Sequence, residues 1–318
     1  MLDERPAESA LSERSRPPLS QRTTPNAQRP VSRDSSFPKR SPTIPMRTSR
    51  VHVLFVAAAV FALIGCGGGG DEPAVTITQG ERSPAIEGAQ ARFATLQDSM
   101  VVEDASVAVT VTAESFEAGI QTETPRAEEL ANSANGQHAH IIIDNGPYMA
   151  NYALGEPFDV GQLAPGPHTA FVFPSRSYHE SVKSSSAYDV VNFFVAGEDD
   201  SFPMGEFMMD PSAPNIIYSR PKGTYSGDGA ERILLDFYLI NAQLSADGYK
   251  ARYTIRPADG QESIASITLT EWTPAFVTGL ESGTYVFQLE LLDGDGNVVE
   301  GAFNSTEREI TVERGESM

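Results

Sequence analysis

A single cysteine, Cys66, stands in the whole chain. No intrachain disulfide is possible, so any fold must be held by its core alone, even in an oxidising compartment. Positive charge is almost as scarce. Residues 1–65 hold 10 basic and 5 acidic side chains, and the remainder carries 13 against 38, a net charge of −25. Beyond Cys66 the lysines are Lys183, Lys222 and Lys250 alone. Such a surface repels nucleic acid and anionic headgroups, so nucleic acid is excluded as a partner. A convincing helical period is also missing after residue 66, and no Gly-x-Ser-x-Gly nucleophile elbow occurs. The expectation is a non-enzymatic protein.

What is present begins around the cysteine. The run VHVLFVAAAVFALIG follows MRTSR and has the length of a signal-peptide apolar region, short for a membrane span. Its end, Leu63-Ile64-Gly65-Cys66, resembles the lipobox of bacterial lipoproteins. That resemblance implies a diacylglycerol on the Cys66 thiol, cleavage before it and acylation of the new amino terminus. Several acyl chains hold a protein to a bilayer far better than one. Cys66 is thus the expected lipidation site and membrane anchor, and GGGG after it the tether (66–73). Glycine rather than aspartate follows the cysteine, which favours an outer-membrane address in the cell envelope. Residues 1–45 are rich in Pro, Ser and Arg and bury no core, so they read as a disordered tail, with Met46 as the true start and 46–65 as the signal peptide.

After Cys66, short β-branched and aromatic runs alternate with Gly, Pro, Asn and Asp. Examples are VAVTVTAE, HAHIII, DVVNFFV, RILLDFYLI and TYVFQLELL. The fold class is all-β. The acidic, Pro- and Met-containing stretch 199–213 reads as a linker between two β-sandwich domains, 74–198 and 214–314. A repeat supports the division: Leu163-x-x-Gly166-x-His168 and Leu280-x-x-Gly283-x-Tyr285 each open a strand. The second copy resembles the tyrosine corner of immunoglobulin-like and fibronectin type III sandwiches, which implies a structural corner at Tyr285 and tandem immunoglobulin-like domains. His168 stands where the first copy would carry its tyrosine.

The histidines after Cys66 are His138, His140, His168 and His179, all in the first domain. His138 and His140 are two apart on a strand and share a face. With a third imidazole they form a nitrogen set suited to zinc or copper. His168, His179 and Asp144 complete the candidate ligands; the bland alternative is a half-buried polar face with His168 as a corner residue. The segment Ser175-Arg176-Ser177-Tyr178-His179-Glu180 resembles the Ser-Arg-x-His motif of forkhead-associated phosphopeptide-binding domains, making Ser175, Arg176 and Ser177 candidate phosphate contacts. Its histidine comes one residue too late, however, and a hydrogen-bonded turn is the simpler reading. NGQHAHIIIDNGPYMANY, LAPGPHTAFVFPSRSYHESVK and IIYSRPKGTY together resemble a group of Gram-negative bacterial lipoproteins, some of which carry a phosphopeptide-binding label. That likeness runs along nearly the whole exported chain and implies no assigned chemistry.

Three weaker signals complete the reading. DGDGNVVEGAFN starts like a calcium loop, but Val298 takes the glycine position and Asn304 the bidentate acid, so a hairpin turn is expected. Arg220 and Lys222 form a local basic spot suited to an acidic partner. Trp272 reads as packing in preference to a sugar platform. The composite expectation is a lipid-anchored binding or scaffolding module, its partner an envelope protein or glycan. A zinc- or copper-binding first domain is the alternative, and phosphopeptide binding a further one.

Overall fold

A computed structural model of the chain describes residues 74–197, 207 and 209–315. Cys66, the leader and the tether lie outside them. The first group of strands is β1 (Thr76–Gln79), β2 (Gln90–Phe93), β3 (Val101–Val102), β4 (Ser106–Glu114), β5 (His138–Ile143), β6 (Met149–Asn151), β7 (Pro157–Gln162), β8 (Gly166–Ser175) and β9 (Asp189–Val195). The second is β10 (Asn215–Arg220), β11 (Gly223–Ser226), β12 (Ile233–Ile240), β13 (Lys250–Pro257), β14 (Ala265–Leu269), β15 (Ala275–Thr278), β16 (Gly283–Leu292) and β17 (Ser305–Glu313). Helical structure among the described residues is confined to two short 3-10 turns, Pro125–Glu128 and Gly227–Ala230. The protein is all-β.

Four sheets form two sandwiches. In one, the order β2-β4-β7 faces β3-β9-β8-β5-β6; in the other, β1-β15-β12-β10 faces β11-β17-β16-β13-β14. Alternation explains both cores. Val107, Val109 and Val111 of β4 turn inward to meet Ile141, Val172 and Phe193. Tyr285, Phe287, Leu289 and Leu291 line one face of β16 and lie in the second core, as their period of two predicts.

Two features depart from the expected boundaries. Residues 76–79, expected in the first sandwich, pair with β15 from Thr76↔Thr278 to Gln79↔Ala275 and so edge the second. The sequence TITQ carries strand propensity but nothing local that names its partner; pairing is a long-range choice. Within the expected linker 199–213, Met209 is buried and accepts a hydrogen bond from Asn192 Nδ2 at 3.0 Å.

Met209 belongs to a third apolar cluster, which joins Ile142, Tyr148, Phe171 and Phe173 to Ile217, Tyr238, Ile240 and Phe303. This cluster glues the outer face of the β5–β8 sheet to the β10–β12 sheet of the other sandwich. Strands β5 and β8 are therefore covered on both faces. Buried polar contacts reinforce the seam: Lys183 Nζ and Ser181 both bond to Asp236, the serine at 3.0 Å through its N–H and 3.1 Å through its hydroxyl. Whatever β5 presents on its outer face is shut away from water.

The repeat is visible as geometry. Tyr285 Oη donates to the carbonyl of Glu281, four residues upstream, at 3.0 Å. His168 Nε2 meets the carbonyl of Ala164, also four residues upstream, at 2.6 Å. An imidazole replaces the phenol at the first corner.

Candidate metal centre

His138, His140 and Ile142 alternate onto the outer face of β5, the face buried against the second sandwich. The two imidazoles are wholly buried. His179 reaches them from the turn after β8. That turn is closed by Arg176 N–H to Glu180 O at 2.9 Å and His179 N–H to Arg176 O at 2.8 Å, with His179 held at φ +68°. Non-glycine residues seldom adopt this left-handed conformation, so the surroundings must hold it. They do: Glu180 accepts from Ser83 Oγ at 2.7 Å and Arg126 at 3.3 Å, while Ser181 is tied to Asp236.

The three rings converge. His138 Nε2 lies 3.0 Å from His140 Nε2 and 3.1 Å from His179 Nδ1, and the three nitrogens all fall within 4.8 Å of one another. Tetrahedral ligands on metal–nitrogen bonds of zinc length sit about 3.3 Å apart, so the two spacings from His138 match a coordination shell, and a small movement of the third pair would complete it. Two of the three outer nitrogens meet a group that orients the ring. His138 Nδ1 donates to the Gly136 carbonyl at 2.9 Å, which fixes its Nε2 as a lone pair. His140 Nδ1 faces Ser219 Oγ at 3.4 Å. Gly136 itself is required there: at φ +79°, a Cβ would meet the Ile120 carbonyl oxygen at 2.4 Å.

Electrostatics hold the cluster neutral. Burial is the largest influence on all three imidazoles, and it disfavours the charged form. It lowers His138 to about 4, with Arg220 and Lys222 pushing the same way. His140 falls well below its ordinary 6.5, helped by the other two imidazoles. His179 is likewise lowered, by burial and then by Arg220. Neutral imidazole is the form that ligates metal. Tyr148 stacks on His140 with centroids 3.6 Å apart and points its hydroxyl to 3.4 Å from His179 Nδ1.

The remaining candidate ligands go elsewhere. Both ring nitrogens of His168 face oxygen acceptors, Asp144 Oδ2 at 2.5 Å and the Ala164 carbonyl. Asp144 is further engaged by Thr169 N–H at 2.8 Å. Neither can join the three-histidine set, because each is committed to the corner of the first sandwich. Ser175, Arg176 and Ser177 are buried too. Ser177 Oγ donates to Asn132 Oδ1 at 2.8 Å, Ser175 Oγ turns to the Arg176 carbonyl, and Arg176 reaches the Pro84 carbonyl. The segment is a buried, internally bonded turn, which leaves no serine hydroxyl facing a phosphopeptide. The Asp293–Asn297 loop closes a hairpin, with Asp293 Oδ1 capping Asn297 N–H at 2.9 Å. Trp272 packs edge-on to Tyr238, donates to the Phe237 carbonyl and lies under Arg82.

Gly136, Tyr148 and Ser219 were not legible as site residues. Tyr148 sits in the turn-rich IDNGPY stretch, and Ser219 is one polar residue on an apolar strand of the other sandwich.

Fold and cluster together define a double β-sandwich protein with a buried three-histidine centre at the seam. No family model and no curated protein matches the chain. Among solved structures, the fibronectin(III)-like modules of Clostridium thermocellum CbhA align at 12% identity and TM-score 0.23, covering 71% of this chain and 95% of theirs. The two tandem V-type regions of VCBP3, a v-region-containing chitin binding protein, align at 8% and 0.20 over 71% and 99%. The central fibronectin-III array of RIM-binding protein aligns at 10% and 0.22 over 72% and 70%. Likenesses this weak carry no argument about the chain, whose fold rests on its own strand order and pairing.

Proposed function

We propose that the protein is a lipid-anchored, non-enzymatic binding protein of the cell envelope, and that what it binds is a transition-metal ion, zinc or copper, at His138, His140 and His179. One observation carries the reading: two Nε2 atoms and one Nδ1 from residues up to 41 apart in sequence meet at ligand spacing. Three neutral imidazoles, two wholly buried and the third half-buried, with a carbonyl behind one of them, suit such ions. The anchor is supported by Leu63-Ile64-Gly65-Cys66 and the apolar run before it, and with it an outer-membrane address. Cys66→Ser should leave an uncleaved precursor that takes up no labelled palmitate; continued lipidation would remove the anchor from the proposal.

The metal is tested by titration calorimetry of residues 66–318 with zinc and with copper, wild type against His138→Ala/His140→Ala. One ion per chain in the wild type and none at comparable affinity in the variant is the expected result. Equal, weak heats would remove the metal and leave a scaffold whose acidic surface, net −25, meets an envelope protein or glycan.

A further inference from the structure

The second sandwich places two cations against the histidine cluster and supplies no counter-ion. Arg220 ends β10 and Lys222 follows it. Both lie over the ring of Tyr148, the arginine 5.2 Å and the lysine 4.2 Å from its centroid, and that ring stacks on His140. Lys222 Nζ donates to the Tyr148 carbonyl at 2.7 Å. Arg220 Nη1 donates to Tyr225 Oη at 2.9 Å, while its buried Nε has no partner. Among the described residues neither cation forms an ion pair. Asp236, the carboxylate whose field reaches Arg220, is already taken by Lys183 and Ser181. A guanidinium so placed and unpaired is costly.

His179 and Arg220 also share a cavity of about 250 Å³ with Tyr178, Asn132, Tyr225 and Arg232. Arg232 stands at its rim, paired with Glu129 at 2.8 Å. The cavity thus touches one ligand of the cluster on one side and an under-used guanidinium on the other. A divalent ion on three neutral imidazoles would bring two further positive charges to a place whose nearby carboxylates, Asp236 and Glu129, are already paired with other cations. A ligand that enters with a negative charge answers both demands, and a guanidinium fork is the group that recognises oxyanions.

We infer, resting on the metal reading above, that the fourth ligand of the ion is a small oxyanion from solution, a carboxylate or phosphate, bound in this cavity between the metal and Arg220. Lys222 adds charge without a fork. Arg220 then has opposite effects on two affinities. It opposes bare metal by charge repulsion and favours the metal–anion complex by direct hydrogen bonds.

The test uses residues 66–318 loaded with cobalt(II), whose visible absorption reports its ligands, in buffer free of coordinating anions. Acetate is titrated in one arm and inorganic phosphate in another. A saturable spectral change is expected in at least one arm, and the responding arm identifies the anion class. Arg220→Gln should weaken that anion by roughly tenfold or more while cobalt uptake without anion is kept or tightened. Arg220→Lys, which retains charge but not the fork, should fall between the two and covers the case in which the glutamine variant does not fold. Cobalt binding with a spectrum indifferent to both anions, or an anion response unchanged in both variants, overturns the inference and leaves the metal site standing. No cobalt uptake overturns both.

Discussion

The metal-free protein should be unusually sensitive to mild acid. In the fold His138, His140 and His179 stay neutral, because burial lowers all three, His138 to about 4. In the unfolded chain each regains an ordinary value of 6.5. Below pH 6.5 the unfolded state therefore binds protons that the native state refuses. Stability is highest above the unfolded value and falls as pH drops through it. Each unmatched proton contributes about 1.4 kcal/mol per pH unit, so three give a slope of about 4 kcal/mol per unit between roughly pH 6 and 5. A whole domain has only about 5–15 kcal/mol in hand. Carboxylates, which titrate near pH 4 when unperturbed, do not share this window. Urea midpoints measured with chelator present at pH 7, 6.5, 6, 5.5 and 5 should reveal a loss of about 3 kcal/mol from pH 6.5 to 5.5, where the unfolded imidazoles start half protonated. His179→Gln should cut that slope by about one third, and His138 should stop contributing near about 4. A flat profile from pH 7 to 5, or a slope unchanged in the variant, would refute the neutral buried cluster. The same shift moves the acid limb of metal binding. An exposed histidine site weakens from about pH 6.5, whereas here protons should begin to displace zinc from the folded protein only nearer His138's value of about 4.

Tyr285→Phe removes one hydroxyl that donates to the Glu281 carbonyl and should destabilise the protein by about 1 kcal/mol, read as a lower urea midpoint at constant slope. An unchanged midpoint would deny the corner its hydrogen bond. His168→Leu breaks the contacts to Asp144 and Ala164 and should cost about 1–3 kcal/mol, yet leave zinc stoichiometry and affinity intact. A loss of zinc in that variant would return His168 to the ligand set. Lys183→Met strips Asp236 of its ammonium partner across the seam and should destabilise by about 3–5 kcal/mol, read by chemical denaturation. A change below 1 kcal/mol would mean that the seam is wet.

Much of the fold follows from local pattern. The alternation in VAVTVTAE and TYVFQLELL gives β4 and β16 their faces, and Leu-x-x-Gly-x-(His or Tyr) marks both corners because the upstream carbonyl is only four residues away. The strand HAHIII likewise shows that His138 and His140 share a face. Long-range choices were not legible. Nothing in TITQ distinguishes a partner in its own sandwich from one 202 residues on, at Thr78↔Phe276's neighbour pair Thr76↔Thr278. Among the candidate third ligands the repeat already makes His168 the weakest, because it fills a corner position, but nothing local selects His179. The turn geometry does so: His168 faces its own corner, while the Glu180 and Ser181 anchors swing His179 toward the cluster.

The location of the centre at the seam determines how it can work. His138, His140 and His179 come from the first sandwich, but Ser219, Arg220, Lys222 and Tyr225 come from the second. Taken alone, the first sandwich would expose the outer face of β5 to water, and the desolvation that keeps its imidazoles neutral would vanish. Ile142, Phe171 and Phe173 lie on that same outer side and need Ile217, Tyr238 and Ile240 as cover. Burial of this apolar cluster and creation of the neutral nitrogen set are thus one event. A substitution at Phe171, which touches no histidine in the cluster's coordination set, would loosen the seam and raise the affinity of the imidazoles for protons. Metal affinity in this protein is in that sense a property of the interface between the sandwiches, and a fragment carrying all the ligands but only one sandwich would not reproduce it.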